Sequence, residues 1–184
     1  MKKLIAPLLA ATLLVACSPA DQPASSPTPT PPAPSATPSD PAQDPLYLEA
    51  VEVYKAYFAQ MQKMESANFP QAQMPAEWDQ WLAGTMRETV SELVKESYRL
   101  RGESDVRGAT TLTYVKPDPD ASVAGSITAI RVCADSRQIE LLDKRDGRVI
   151  GHGPLVYKEI FFKRFDGKLK GFVQTVKDVE QCPA

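Results

Sequence analysis

Residues 18–45 carry 10 of the chain's 17 prolines and no glycine, aromatic, lysine or arginine. Such a tract cannot bury enough apolar area to offset the entropy of ordering it, so no packed core forms there. Proline bias favours stiff polyproline II, at roughly 3.1 Å per residue. The 28 residues would then reach on the order of 85 Å. Everything able to fold lies beyond them. All 14 aromatics fall in residues 46–184, a stretch of 139 residues that suits one small domain. This excludes a multidomain enzyme and a polytopic membrane protein.

Ahead of the tract stands a short leader. Met1-Lys2-Lys3 is basic, and Leu4 to Ala16 is apolar apart from Thr12. About 13 apolar residues fall short of the roughly 20 that a spanning helix needs, so residues 1–16 read as a signal peptide. The leader ends Leu14-Val15-Ala16-Cys17, which resembles a bacterial lipobox. The resemblance implies cleavage before Cys17 and a lipid on its thiol. Two or three acyl chains bury methylenes at about 0.8 kcal/mol each, which is enough for stable anchoring. Residues 17–45 then form a lipidated cysteine and a disordered Pro/Ser/Thr/Ala spacer holding the domain off the membrane. A proline-rich ligand and an O-glycosylated stalk are the other readings of this spacer.

With Cys17 used for lipid, Cys133 and Cys182 remain. In an oxidising compartment an even count implies pairing. A metal site is disfavoured, because two cysteines and the distant His152 lack ligand number and spacing. A nucleophilic thiol is disfavoured for the same pair.

Within the domain, Asp44-Pro45 suits a helix start. Apolar residues at Leu46, Ala50, Val53, Tyr57, Met61 and Met64, widened by Tyr54 and Phe58, predict a helix with one buried face. A second short helix is expected over Ala76 to Leu82, with Trp78 and Trp81. Thr85-Met86-Arg87-Glu88 fits a capping box that opens a third, ending near Gly102. Five strands follow: Thr110 to Val115, Ile127 to Cys133, Gln138 to Leu142, Leu155 to Phe165 and Leu169 to Val179. Asp146-Gly147 and Asp166-Gly167 supply turns. Helices first and an antiparallel meander after give an α+β fold. A bridge from Cys133 to Cys182 would bring the meander's end beside its beginning. That requires a strongly curved sheet with a conical cavity at one end.

This order resembles the nuclear transport factor 2-like cone fold, and more closely small lipid-anchored actinobacterial proteins built on it. The residues that carry the resemblance are Leu14-Val15-Ala16-Cys17, the proline tract, the Trp78/Trp81 segment and Val132-Cys133-Ala134-Asp135. Asp146-Gly147, Asp166-Gly167-Lys168 and Val179-Glu180-Gln181-Cys182 complete the set. Members bind small apolar ligands, catalyse isomerisation or dehydration, or serve in assembly, so the fold does not give the function.

Catalytic signals are sparse. His152, between glycines and before Pro154, reads as an exposed turn histidine without a carboxylate partner. Asp135 reads as a turn residue in Asp135-Ser136-Arg137. Glu159 shares a strand face with Tyr157, Phe161 and Phe165. If that face is internal, Glu159 is a carboxylate in an apolar setting with a raised pKa. The opposite phase buries Val156, Ile160 and Phe162 and exposes Glu159. Asp118-Pro119-Asp120 lacks the later ligands of a calcium loop. No glycine-rich phosphate loop is present.

Charge is uneven: residues 46–105 hold 6 Lys/Arg against 10 Asp/Glu, and residues 137–177 hold 10 against 5. Solvated outer strand positions explain this, and a face attracted to anionic envelope polymers is the functional reading. Nucleic acid is not an expected partner outside the cell.

The expectation is therefore a lipid-anchored, extracytoplasmic, non-catalytic binding or interaction module without a cofactor or metal. Its partners are the membrane, through Cys17, and either a small apolar ligand or an envelope protein. The expected cone lining is Tyr54, Tyr57, Phe58, Met61, Trp78 and Trp81, with Glu159 from the long strand. The alternatives are a small enzyme using Glu159 and an accessory part of a secretion or conjugation machine.

Overall fold

The computed structural model describes residues 40–183, so the expected leader, the lipid site at Cys17 and nearly all of the spacer lie outside the described residues. Two α-helices precede seven strands: α1 (Pro45–Ser66), α2 (Gly84–Leu100), β1 (Ser104–Arg107), β2 (Thr111–Pro117), β3 (Thr128–Asp135), β4 (Glu140–Asp143), β5 (Val149–His152), β6 (Leu155–Phe165) and β7 (Lys168–Asp178). The class is α+β with antiparallel sheets.

Asp44 starts α1 as the sequence suggests. Its Oδ1 accepts from the N–H groups of Leu46 at 2.7 Å and Tyr47 at 3.3 Å, and Pro45 supplies the first helical φ. α1 buries Ala50, Val51, Tyr54, Tyr57, Met61 and Met64, and α2 buries Met86, Val90 and Val94.

Three expectations need correction. The Trp78/Trp81 segment is a five-residue 3-10 turn over Ala76–Gln80, so there are two α-helices and not three. With Pro75 fixing its start and no side-chain cap, it makes no full α turn. The capping box at Thr85 also does not form. α2 begins after Ala83, whose N–H donates to the Gly171 carbonyl at 2.9 Å, while Gly171 donates back to Trp81 at 2.9 Å. Tertiary pairing with β7 sets the helix start, and the Thr85 hydroxyl turns to the Phe172 carbonyl at 3.4 Å.

The third correction is the sheet. Strands form two sheets, with orders β2-β3-β6-β7 and β1-β4-β5. The expected single meander missed β1 and β5 and placed β4 in the main sheet. Instead β4 pairs with β1, Val106 opposite Leu141 and Arg107 opposite Glu140, and β3 pairs directly with β6.

Cys133 and Cys182 form a disulfide with Cα atoms 5.8 Å apart. It ties the segment after β7, an edge of the four-stranded sheet, to the interior strand β3. Cys133 lies on β3, opposite Tyr157 of β6, which is opposite Lys177 of β7. The tail after β7 therefore folds back across β6 to reach Cys133. It continues toward β2, where the Tyr114 hydroxyl donates to the Pro183 carbonyl at 2.7 Å. The tail thus forms a strap over the sheet's outer face, tied at Cys133 and at Tyr114.

Strand alternation decides which side of β6 meets the helices. Ile160 and Phe162 are buried with Ile130 and Val132 against α1 and α2. Arg164, in the same phase, reaches Glu49 of α1 at 2.6 Å. Tyr157, Glu159 and Phe161 therefore face away from the helices, with Phe161 buried beside Ala129 on that side.

Candidate functional site

The residues expected to line a cone are mostly plain core. Tyr54, Tyr57, Met61 and Trp78 are buried, and Phe58 and Trp81 pack partly buried against them. The rings fill the space themselves: Tyr54 stacks on Phe58 at 6.0 Å, and Tyr57 meets Trp78 edge-on at 5.8 Å between centroids. Glu159 does not join them. It lies on the opposite face and accepts from the Thr175 hydroxyl at 2.9 Å.

His152 ends β5 opposite Glu140 and is exposed, a strand position and not a turn. Asp135 is spent on a local turn: its Oδ1 accepts from Arg137 N–H at 3.0 Å, and the Arg137 guanidinium holds its carboxyl down at about 2. Among the described residues no cluster of His, Cys, Asp or Glu could hold a metal ion, and no helix is long and apolar enough to cross a membrane. The basic character of the strands is partly consumed locally. Arg137, Lys144, Arg145, Arg148 and Arg164 each pair with an acid.

A recess of about 320 Å³ opens where the ends of α1 and α2 meet the three-stranded sheet. Its walls are Phe69, Leu93, Leu100, Val106, Ile139, Leu141 and Pro154, and its polar floor is Glu65, Thr110 and Ser136. Leu93 and Leu100 stand at 49% and 39% exposure. The split of the strands makes this space. After Asp135 the chain leaves the large sheet for β4, and after Gly153 it returns. A Cβ at Gly153 would stand 2.4 Å from the Ser136 carbonyl, so only glycine permits the two crossings to pass this closely.

Glu65 continues the buried stripe of α1, one turn beyond Met61. Its Oε2 is shut off from solvent and has no hydrogen-bond partner. Burial pushes its pKa up, against the pull of Lys158 and the Thr110 side chain. Thr110 is itself tied in. Its hydroxyl lies 2.8 Å from that of Ser136, and its carbonyl accepts from Gln62 Nε2 at 2.6 Å.

Lys158 sits on β6 in the inward phase, between Val132 of β3 and Val176 of β7. Burial pushes its pKa down, and Glu65 opposes that. Burial likewise raises Tyr54 and Tyr57, with Glu65 adding to both. Tyr54 Oη is buried without a partner. A half-buried carboxylate and a half-buried ammonium thus meet at the edge of a core made of aromatic and aliphatic side chains.

Sequence reasoning passes over both charges. Each has a signal: Glu65 falls on the helical repeat Tyr54, Phe58, Met61, and Lys158 alternates with Ile160 and Phe162.

No protein-family model matches the chain, and no curated protein does. Among solved structures it is similar to Aln2 from a Streptomyces species, at 13% identity and a TM-score of 0.43. That likeness covers 72% of this chain and 90% of the other. At this level it assigns neither a fold family nor a function.

Proposed function

We propose that the chain is a lipid-anchored, extracytoplasmic binding module that holds a small apolar ligand in the recess, and that it is not an enzyme. The observation that carries the ligand is the recess itself. Its volume of about 320 Å³ falls at the lower end of small-molecule sites, which run about 300–1,000 Å³. Two leucines left half in water beside a concave apolar wall gain most by covering it. The anchor rests on Leu14-Val15-Ala16-Cys17 and the spacer after it. We take the fold as a variant of the nuclear transport factor 2-like cone. A long first helix against an antiparallel sheet favours this, and the separate three-stranded sheet is the departure from it.

The full chain, titrated with naphthalene and followed by the ligand's own fluorescence, tests the recess. Saturable binding of one molecule is expected, weakened about tenfold or more by Leu93→Glu and Leu100→Glu. These positions are exposed, so folding survives. Unsaturable binding that ignores both substitutions refutes the reading. For the anchor, radiolabelled palmitate fed to expressing bacteria should mark the wild type and leave Cys17→Ser unlabelled. Equal labelling refutes it.

A further inference from the structure

The polar groups of the recess also select the ligand's head group, an inference that rests on the recess being a ligand site. Several of them are committed within the chain. The Thr110 and Ser136 hydroxyls lie 2.8 Å apart, and the Ser104 hydroxyl donates to the Leu100 carbonyl at 3.3 Å. Asn68 Nδ2 donates to Asp105 Oδ1 at 2.8 Å. Glu65 has its Oε2 closed to solvent, so a ligand in the recess does not reach that oxygen.

Two groups with open donors stand on α2. Leu93, Ser97, Leu100 and Arg101 follow one another at helical spacing, and all four line the recess. The Ser97 hydroxyl has no hydrogen-bond partner among the described residues. Arg101 is held in place on one side only. Its Nη1 donates to the Pro70 carbonyl at 3.0 Å and the Phe69 carbonyl at 3.5 Å, and its guanidinium lies 4.4 Å over the Tyr98 ring. Nε and Nη2 are left without an acceptor among the described residues. They form one edge of the guanidinium fork, and such an edge takes a carboxylate through two parallel hydrogen bonds.

Arg101 also lacks an acid. Of the nine arginines among the described residues, seven close ion pairs within 4.0 Å. Arg131 is the other exception, and it lies on β3 opposite Glu159, on the sheet face turned away from the helices. Asp105 is taken by Asn68 and by Lys144 at 3.1 Å. A held, unpaired guanidinium beside an apolar wall complements an anion whose body is apolar. A cationic head group would meet Arg101 with like charge, and a neutral one would leave that charge unanswered.

We propose that the recess takes a small apolar carboxylic acid as its anion, the carboxylate accepting from Arg101 Nε and Nη2 and from the Ser97 hydroxyl. The test uses four probes of one shape on the full chain at neutral pH: naphthalene, naphthoate, naphthamide and naphthylmethylammonium. Naphthoate should bind about tenfold or more tighter than each of the others. In Arg101→Met the naphthoate-to-naphthalene ratio should fall to about one, and in Ser97→Ala it should fall about threefold. Arg131→Met should leave it unchanged. Being a ratio, it is unaffected by a general loss of folded protein.

Equal binding of naphthoate and naphthalene overturns the head-group proposal while the recess remains a ligand site. Naphthamide as tight as naphthoate overturns the role of charge, and tighter naphthylmethylammonium overturns it in favour of Glu65. A ratio that survives Arg101→Met, or is lost in Arg131→Met, overturns the placement of the carboxylate. Binding of none of the four overturns the ligand site and the head group together.

Discussion

The Glu65–Lys158 pair can be weighed by a double-mutant cycle on Glu65→Gln and Lys158→Met. The two groups influence each other across the interior. They are not among the ion pairs that close within 4.0 Å. At that distance and an effective dielectric of about 20, two unit charges interact by about 4 kcal/mol, which sets a ceiling. A more distant pair at the edge of an open recess should couple by about 1–2 kcal/mol. Urea unfolding at pH ~7 with a shared m-value reads it. The double variant should be more stable than the sum of the two single losses by that amount. Additivity within about 0.5 kcal/mol would show that the charges do not feel each other.

The pH dependence adds a second check. Glu65 has a raised folded pKa, so it contributes stability at low pH that is lost as pH rises from about 4.3 through the raised value. Lys158 has a lowered one, so its cost is present below that value and disappears as pH rises toward about 10.4. As pH rises, the wild type should thus lose ground to Glu65→Gln on the acid limb and gain on Lys158→Met on the alkaline limb. The opposite slopes would refute the burial argument.

Other perturbations test the scaffold. Reducing the Cys133–Cys182 bridge reopens a loop with a sequence separation of 49, worth about 4 kcal/mol in the chain-entropy model and roughly 12 °C in Tm. Calorimetry showing a shift below ~3 °C would contradict that account. Tyr54→Phe removes a buried hydroxyl that has no partner, so chemical denaturation should find it neutral or up to about 1 kcal/mol more stable. A loss of ~2 kcal/mol would reveal a partner for that hydroxyl. Gly84 has φ +51°, and its Cβ would stand 2.7 Å from the Phe172 carbonyl, while Gly147 has φ +70° and open space. Gly84→Ala should therefore cost ~2 kcal/mol or more and Gly147→Ala about 1, and equal midpoint shifts would deny the close approach of α2 to β7.

The elements that the sequence discloses are those determined by local chemistry. Asp44-Pro45 makes its own cap, the stripe from Ala50 to Met64 makes its own amphipathic face, and Asp166-Gly167 takes positive φ at both residues, 50° and 78°. Elements fixed by distant partners stay hidden. Ser104 to Arg107 carries two charges in four residues and becomes a strand because β4 lies beside it. The start of α2 is set by Gly171, almost ninety residues away, against the local preference of Thr85. The Cys133–Cys182 pair carries contact information but not path information. A strap across a sheet and a closed cone bring the same two Cα atoms together.

The site is obscured by a choice of phase. Along β6 the aromatic residues Tyr157, Phe161 and Phe165 mark one face and Ile160 and Phe162 the other, so apolar content does not choose between them. Looking for a carboxylate draws attention to Glu159, and only the Arg164 to Glu49 contact and the burial of Ile160 and Phe162 put that face outward. The alternation that turns Glu159 away from the helices turns Lys158 toward them. A half-buried lysine gains from an acid within reach, and α1 supplies Glu65, one turn beyond the buried Met61. Charge balance across the helix–sheet interface therefore points to Glu65. A helix-facing lysine on a strand with apolar neighbours of the same phase is a reason to search the facing helix for its carboxylate.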